Sequence, residues 1–296
     1  MTHAPSRREL LLASGTLFAW GYVPKLARAE GRDPRFLTIV LRGALDGLAT
    51  VAPVGDPDWV SLRGDNALTF EGKTPALKLD DFFALNPAMP NLARMFKANE
   101  AIIVHAAATS YRDRSHFDGQ DVLESGVEKP STTRTGWLKQ PDGPRVGALT
   151  LDGRDTHYNE GIATGWLAQL LGALDAALAA VQENMGPAWR ETVVVLVTEF
   201  GRTARINGTD GTDHGTATVM LLAGGALKGG RVIADWPGLK PADLFENRDL
   251  KPTIDVRSVL KGLLKDHLRA TDRVLAVDVF PGSDDAKPMA GLVASG

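Results

Sequence analysis

Residues 192–198 read Thr-Val-Val-Val-Leu-Val-Thr, an unbroken run of apolar and β-branched side chains. Such a run is typical of a strand that is covered on both faces of a sheet. Three more runs share this composition, and they cover Phe36–Leu41, Ala101–Ala106 and Thr218–Ala223. The sequence therefore predicts four buried strands, of which residues 192–198 are the third.

Helical periodicity accompanies these strands. Between the second and third runs, apolar residues recur at intervals of three and four from Ile162 to Val181, and Gly186-Pro187 ends the pattern. A weaker helix is predicted over Val256–His267. Buried strands that alternate with helices predict an α/β fold with a mostly parallel sheet and helices on both faces. The length after residue 29 suits one domain over residues 30–296.

The first 29 residues have the pattern of a twin-arginine signal peptide. Residues 6–11 read Ser-Arg-Arg-Glu-Leu-Leu, and the apolar stretch that follows continues to Val23 without a charge. Residues 27–29 offer small side chains at the positions a signal peptidase reads, so cleavage is predicted after Ala29. The apolar stretch is shorter than the ~20 residues needed to cross a bilayer. The alternatives are an uncleaved anchor and a disordered basic tail.

This signal predicts a periplasmic or secreted protein. It implies the twin-arginine translocase as a partner during export, on a route that carries folded proteins, often with a metal or cofactor inside. The rest of the sequence has no apolar run long enough to span a membrane. We therefore expect a soluble mature chain with no membrane contact after cleavage.

Charge and composition argue against several classes of function. The net charge is −3 at pH 7, and residues 1–29 carry four basic side chains against one acidic, so the mature chain is more acidic still. Nucleic acid and anionic membrane surfaces need a basic face and are not expected as partners. The chain has no cysteine, which excludes disulfides, thiolate metal ligands and a cysteine nucleophile.

Polar residues collect where the predicted strands begin or end. In an open α/β sheet, ligands bind outside the carboxyl ends of the strands. Five segments carry reactive or ligating side chains. Residues 42–48, 109–118 and 198–203 follow predicted strands, residues 211–215 precede one, and residues 152–157 precede the long helix. Four of the five histidines after residue 29 lie in or beside these segments, namely His105, His116, His157 and His214.

Each segment also has an ordinary structural interpretation. Asp46-Gly47 is typical of a turn, and Ser115 suits the N-cap of a helix. Residues 155–157 suit a turn before the long helix, and Glu199 with Arg202 suits a surface ion pair. The five segments together favour a functional site, because all of them fall at the same kind of place on the sheet.

The residue types favour metal-assisted chemistry. Carboxylates with neutral imidazoles and no sulfur suit Zn²⁺, Mn²⁺, Ca²⁺ or Mg²⁺. Asp155 and His157 are two residues apart, so an extended segment would direct both to one ion, which His214 could complete. Asp46 and Glu199 are candidates for a second ion.

A two-ion site would act on an ester. Two ions about 4 Å apart clamp the attacking and leaving oxygens of an in-line displacement, as in many phosphatases. Ser115 is the candidate nucleophile, and Arg114 or Arg202 is the candidate for holding an anionic group through a bidentate fork. The expected partner is then an anionic small-molecule ester.

The chain resembles the domain-of-unknown-function 1501 family (DUF1501), a group of exported bacterial proteins distantly similar to the alkaline phosphatase and sulfatase superfamily. The most specific motifs are Glu-Phe-Gly-Arg-Thr at residues 199–203 and Asp-His-Gly at residues 213–215. The other matching segments are residues 41–48, 114–118, 155–157, 235–239 and 280–282.

This resemblance implies an alkaline phosphatase-like fold and a layout with two ions and a hydroxyl nucleophile. The positions that fit this layout are Asp46, Ser115, Asp155, His157, Glu199 and His214, with Asp213 as a further candidate ligand. The superfamily usually carries an Asp-His pair where Glu199 stands. The loss of that histidine favours a harder second ion or none.

Two features depart from the family pattern. Arg154 stands where relatives carry tryptophan, and the stretch from Leu138 to Asp152, with a predicted polar loop at residues 139–147, is shorter than the usual insert. Two functions therefore stay open. One is an exported metallohydrolase of phosphate or sulfate esters with Ser115 as nucleophile. The other is a non-catalytic binding or assembly protein that keeps the fold and one structural ion.

Overall fold

The computed structural model describes residues 32–130 and 146–294, so the predicted signal peptide lies outside the described residues. Within these ranges seven strands form one sheet, in the order β10-β5-β8-β7-β1-β6 with β9 also paired to β5, and three short strands form a second sheet, β2-β4-β3. The strands are β1 Arg35–Leu41, β2 Val51–Ala52, β3 Leu77–Lys78, β4 Ala84–Leu85, β5 Ala101–Ala108, β6 Val146–Leu151, β7 Thr192–Val197, β8 Thr218–Ala223, β9 Arg231–Ile233 and β10 Ile254–Asp255.

The large sheet is mostly parallel, as predicted. Strand β1 pairs in parallel with β6 and β7, and β5 pairs in parallel with β9 and β10. Strand β8 is the exception, because it runs antiparallel to both β5 and β7. Residues 198–217 link β7 to β8 without a helix. Antiparallel neighbours need no crossover helix between them, and this link contains none.

Helices cover both faces of this sheet, which confirms the predicted α/β layering. In the described ranges they are α1 Gly47–Thr50, α2 Trp59–Arg63, α3 Pro90–Lys97, α4 His116–Ser125, α5 Trp166–Met185, α6 Val256–Leu268 and α7 Asp272–Val274.

Alternate residues of the central strands face two separate apolar cores. Ile39 and Leu196 pack in the core that contains α3 and α5. Val40 and Val195 pack in the core that contains α6. This alternation explains why the strand runs are apolar throughout, since each strand is buried on both sides.

The predicted elements agree with the structure in type and differ at their ends. The helix predicted from Ile162 begins at Trp166, and the helix predicted over Val256–His267 ends at Leu268. The polar loop predicted over residues 139–147 is wrong for Val146 and Gly147, which open β6. Strand β6 is an outermost strand of the sheet and its side chains are half-exposed, so its sequence carries a weak strand signal. Residues 139–145 lie outside the described residues.

The helices offer no candidate for a membrane span in the part of the chain that the structure describes.

Two histidines are buried in the scaffold. His105 in β5 donates from Nε2 to the carbonyl of Val51 (2.9 Å) and accepts at Nδ1 from the amide of Ala106 (2.8 Å). His267 in α6 lies 3.0 Å from the carbonyl of Arg35 through Nε2. Burial lowers the pKa of each imidazole to about 4. Both rings are therefore neutral parts of the fold. His105 makes its hydrogen bonds to the backbone of Val51 and Ala106 rather than to His116, His157 or His214.

We expect the free energy of unfolding to fall as the pH drops from 6.5 towards 4. Over this window the unfolded chain binds protons at His105 and His267, whereas in the folded chain both imidazoles stay unprotonated. Each histidine should cost about 1.4 kcal/mol per pH unit. Urea unfolding at several pH values measures this slope. The variant His267→Gln, whose amide can still donate to Arg35, should have a shallower slope, and an unchanged slope would contradict the assignment.

Candidate metal centre

The polar segments meet where the parallel strands of the large sheet end, at the carboxyl edge of the sheet. The carboxyl ends of β1, β5, β6 and β7 lie at this edge because these four strands run in the same direction. The residues before β8 join them because β8 runs in the opposite direction. Antiparallel pairing thus places residues 211–217 beside residues 198–203, and Arg202 forms an isolated bridge with His214.

Three imidazoles and one carboxylate converge at this edge. The Nε2 atom of His214 lies 3.0 Å from Nε2 of His116 and 3.1 Å from Nε2 of His157. The Oδ1 atom of Asp155 lies 2.9 Å from Nε2 of His157 and 3.2 Å from Nε2 of His214. Its Oδ2 atom is 3.5 Å from Nε2 of His116.

The outer nitrogen of each ring faces an oxygen acceptor. Nδ1 of His214 lies 3.1 Å from the carbonyl oxygen of Arg114, which can only accept, so this Nδ1 carries the proton. Nδ1 of His116 faces the carboxylate of Glu199 at 2.8 Å, and Nδ1 of His157 faces the carboxylate of Asp213 at 3.3 Å. In the neutral rings all three Nε2 lone pairs therefore point inward.

Inward lone pairs at these separations fit a shared cation. The ligand atoms of His116, Asp155 and His214 lie within 4.8 Å of one another, and these residues form a group that could hold a metal ion. A tetrahedral zinc ion with bonds of about 2.0 Å separates its ligand atoms by about 3.3 Å, close to the distances between the Nε2 and Oδ1 atoms. Histidines that ligate a metal commonly donate their other N–H to a carboxylate or carbonyl, as all three do here.

The electrostatics of the cluster separate its two inner histidines. The hydrogen bond to Glu199 raises the pKa of His116, against the effect of burial. Burial lowers the pKa of His214, and the charge of protonated His116 adds to this effect. If His116 and His214 were both protonated, their positive charges would repel, because their Nε2 atoms are 3.0 Å apart. A metal ion binds only to unprotonated Nε2 atoms, so its binding would release any proton held there.

Glu199 lies behind His116 instead of facing an ion. Its side chain is fully buried, and its Oε1 accepts from His116 and from the amide of Gly43 at 2.8 Å each. Its Oε2 accepts from the hydroxyl of Thr198 at 2.9 Å. Although burial opposes it, these hydrogen bonds lower the pKa of Glu199. The structure thus places Glu199 where it orients His116, and its role as a ligand of a second ion stays a prediction.

Asp46 is held by an arginine that the sequence pattern does not reveal. Both of its oxygens bind Arg63 of α2, at 2.7 and 3.0 Å, and the two side chains are 1% and 0% exposed. Its Oδ1 also accepts from the amide of Ala49 as the N-cap of α1. The structure thus gives Asp46 a buried arginine partner, and its role with Glu199 at a second ion stays a prediction. Among the described residues, one cluster of ligand-type side chains forms, and it contains neither of them.

The two predicted anion-binding arginines face protein groups. Arg202, fully buried, donates from Nη1 to Asp155 at 2.7 Å and from Nη2 to the carbonyl of Thr212 at 2.8 Å. Arg114 pairs with Asp249 at 2.8 Å and with Glu246 at 2.6 Å. Arg202 thus positions Asp155, and Arg114 presents its carbonyl to His214 from a left-handed backbone (φ 58°). The binding of a substrate anion by either arginine stays a prediction.

Ser115 occupies the N-cap of α4, directly before His116. Its side chain makes no capping hydrogen bond, while its amide donates to the hydroxyl of Tyr111 at 3.2 Å. The Ser115 side chain is half-buried. The Ser115 hydroxyl is not used as a cap, and its catalytic role stays a prediction.

Two glycines allow residues 211–215 to approach the other segments of the cluster. A β-carbon on Gly211 would lie 2.3 Å from the carbonyl carbon of His157. A β-carbon on Gly215 would lie 2.3 Å from the carbonyl carbon of Arg202. The loop that carries Asp213 and His214 can reach the cluster because both of these positions lack a side chain.

His116 is a candidate ligand that the sequence pattern does not single out. The pattern places it in a polar segment and among the clustered histidines, yet assigns the chemistry of that segment to Ser115. The available signal is the helix start itself. An N-cap at Ser115 puts His116 in the first turn of α4, at the sheet edge where the other histidines lie.

The fold and the cluster define an α/β protein with a candidate metal centre at the carboxyl edge of its sheet. Residues 138–279 match the model of the family described as "Protein of unknown function (DUF1501)". The matched region contains Asp155, His157, Glu199 and His214, whereas His116 lies before it. No curated protein and no solved structure matches the chain.

We expect Asp46→Asn to destabilise the fold and to leave the candidate metal centre intact. The substitution leaves Arg63 buried without its countercharge, which costs about 3–5 kcal/mol. Guanidinium unfolding and zinc titration of the same preparation measure the two effects. The matched control is Asp210→Asn, since Asp210 is exposed and its left-handed backbone suits asparagine. Unchanged stability with weakened zinc binding would return Asp46 to the ligand set.

Proposed function

We propose that this protein binds one divalent ion through His116, Asp155 and His214, with His157 beside them as a candidate fourth ligand. The observation that carries this proposal is the inward orientation of three Nε2 lone pairs whose Nδ1 atoms all face oxygen acceptors. Three imidazoles and one carboxylate favour Zn²⁺ over Mn²⁺, Ca²⁺ and Mg²⁺, which prefer more oxygen ligands.

We also propose that the relationship to the DUF1501 family extends beyond residues 138–279, over residues 36–282, and that the fold is alkaline phosphatase-like. Segments before the matched region contribute to the same cluster. Gly43 and His116 both donate to Glu199, and Arg114 accepts from His214. These contacts support one site built from both parts of the chain.

The activity we propose is hydrolysis of small anionic phosphate or sulfate esters. A divalent ion supplies Lewis acidity at this edge when bound. The Ser115 hydroxyl forms the new bond to phosphorus or sulfur and releases its proton to solvent, while the ester oxygen leaves with the bonding electron pair. Water then cleaves the serine ester and restores the hydroxyl.

Exposed aromatic side chains support an aryl ester as the first substrate to try. Phe117 and Tyr158 are 87% and 72% exposed. They directly follow His116 and His157 in the chain. An aryl leaving group also departs without a general acid, and Arg114 and Arg202 are occupied by other contacts.

A second candidate function is a non-catalytic binding or assembly protein with one structural ion. The favouring observation is that Nε2 of His157 lies 2.9 Å from Oδ1 of Asp155 and 3.1 Å from Nε2 of His214, beside the group of three candidate ligands, so a fourth protein donor is available. Structural zinc sites are closed by four protein ligands, whereas catalytic sites keep a position open. In this case the ion stabilises the fold and Ser115 has no chemical role.

We expect the purified mature chain to contain one equivalent of a divalent ion by elemental analysis. Asp155→Asn should lose the ion, because the substitution removes the negative charge that attracts the cation. Asp210→Asn is the matched control, since it removes the same charge from an exposed side chain, and should keep the ion. A chain purified without any ion that also fails to take up added zinc would exclude the metal-binding proposal.

We expect Ser115→Ala to separate the two candidate functions. If the protein is a hydrolase, the variant keeps its ion and loses turnover of 4-nitrophenyl phosphate or sulfate by about 10³-fold or more. If the ion is structural, the unsubstituted chain turns over neither ester, and a chelator lowers the melting temperature. Equal turnover by Ser115→Ala and the unsubstituted chain would exclude Ser115 as nucleophile.

We propose that the chain is exported to the periplasm, or secreted, by the twin-arginine route. Residues 6–11 support this route, because an arginine pair directly before an apolar stretch distinguishes it from general secretion. The translocase is then the partner during export, and nucleic acid is not a partner of the acidic mature chain.

Export should stop when Arg7 and Arg8 are both replaced by lysine. The charge stays the same, so loss of export would depend on the arginine pair itself. Cell fractionation of the full chain measures it, with Arg28→Lys as the control near the cleavage site. Continued export of the double variant would exclude the twin-arginine route.

A further inference from the structure

Two loops that carry the candidate ligands are joined by a buried carboxylate. Thr156 stands between Asp155 and His157, and Thr212 stands two residues before His214. The Thr156 hydroxyl donates to Oε1 of Glu160 at 2.8 Å, and the Thr212 hydroxyl donates to Oε2 of Glu160 at 3.0 Å. One carboxylate therefore binds the centre of each loop.

Further contacts make this junction part of the cluster. The amide of Thr212 donates to the carbonyl of Thr156 at 3.1 Å, so the two loops also touch through their backbones. The Thr212 hydroxyl accepts from Nε of Arg202 at 3.1 Å, and the same guanidinium holds Asp155. The chain of contacts runs from Glu160 through Thr212 and Arg202 to Asp155.

The position of Glu160 is costly for the fold. Its side chain is 0% exposed, and burial, followed by the charge of Asp46, raises its pKa to about 7. Arg63 is already paired with Asp46, and the remaining donors at Glu160 are the two hydroxyls. A buried acidic group with hydroxyl partners alone is unfavourable for stability in itself, and such groups concentrate at functional sites.

We propose that Glu160 is a positioning residue of the metal centre, which fixes the spacing between the loop of Asp155 and His157 and the loop of His214. This inference rests on the proposed metal binding, and it adds a residue three positions beyond the nearest ligand. Glu160 touches no ligand directly. It acts through Thr156 and Thr212, whose hydroxyls set the direction in which the neighbouring side chains leave the backbone.

The test compares two buried carboxylates. Asp175 in α5 is 2% exposed and accepts from the amides of Asn91 and Leu92 at the start of α3. Asp175→Ala should therefore lower the melting temperature of the protein without changing zinc affinity. Glu160→Ala should also lower the melting temperature, but in addition weaken zinc binding by about 10- to 100-fold, as loss of outer-shell partners does. Competition with a chelating dye measures the zinc affinity.

Conservative variants keep the test decisive if Glu160→Ala does not fold. Thr156→Val and Thr212→Val each remove one hydroxyl from Glu160 at nearly constant volume, and each should weaken zinc binding. Glu160→Gln can still accept from one threonine and should recover most of the affinity lost in Glu160→Ala. Wild-type zinc affinity in Glu160→Ala or in both valine variants would overturn the inference. So would an equal loss in Asp175→Ala.

A metal-free measurement separates this inference from the proposed function. Nuclear magnetic resonance of the imidazole nitrogens should show that Glu160→Ala shifts the signals of His157 and His214, while Asp175→Ala leaves them in place. If the unsubstituted chain binds no zinc and these shifts are present, the proposed metal binding fails and the positioning by Glu160 stands. Unshifted signals in Glu160→Ala overturn the positioning.

Discussion

The antiparallel course of β8 is the constraint on which the candidate site depends. Strand β8 lies between β5 and β7 and opposes both, so the chain enters it at the edge where the parallel strands end. Had β8 run parallel to β7, residues 211–215 would lie at the opposite edge, a strand length away. His214 would then meet neither His116 nor Asp155.

The strand directions bring the histidines together, and hydrogen bonds around the cluster then fix the orientation of each ring. Each imidazole is fixed by a different type of acceptor, namely a buried glutamate, an exposed aspartate and a backbone carbonyl. Arg202 fixes the carboxylate of Asp155. These contacts come from segments far apart in the chain, so the direction of the inner lone pairs is a property of the whole sheet edge rather than of any one loop.

Sequence patterning predicts the scaffold better than the site, for physical reasons. The four buried strands and the helices of both faces leave long apolar signals. The edge strand β6 is half-exposed and leaves almost none. The direction of β8 depends on the missing crossover helix, which the sequence shows as the absence of a helical period between residues 198 and 217.

Within the site, local spacing is readable and tertiary pairing is not. Asp155 and His157 are two residues apart, and the structure brings them together with His214 as the sequence predicts. The pairing of Asp46 with Arg63 depends on how α2 packs, and no periodicity reports it. The hydrogen bond between Nδ1 of His116 and the carboxylate of Glu199 also depends on tertiary packing, so the sequence does not reveal it.

The glycines at positions 211 and 215 limit how this protein can diverge. The backbones of His157 and Arg202 fill the space where a β-carbon would stand. This restriction is steric and does not depend on which ion or substrate occupies the site. A saturation library selected for any ligand at this edge should therefore return glycine at both positions, while the exposed aromatic positions drift freely with the ligand chosen.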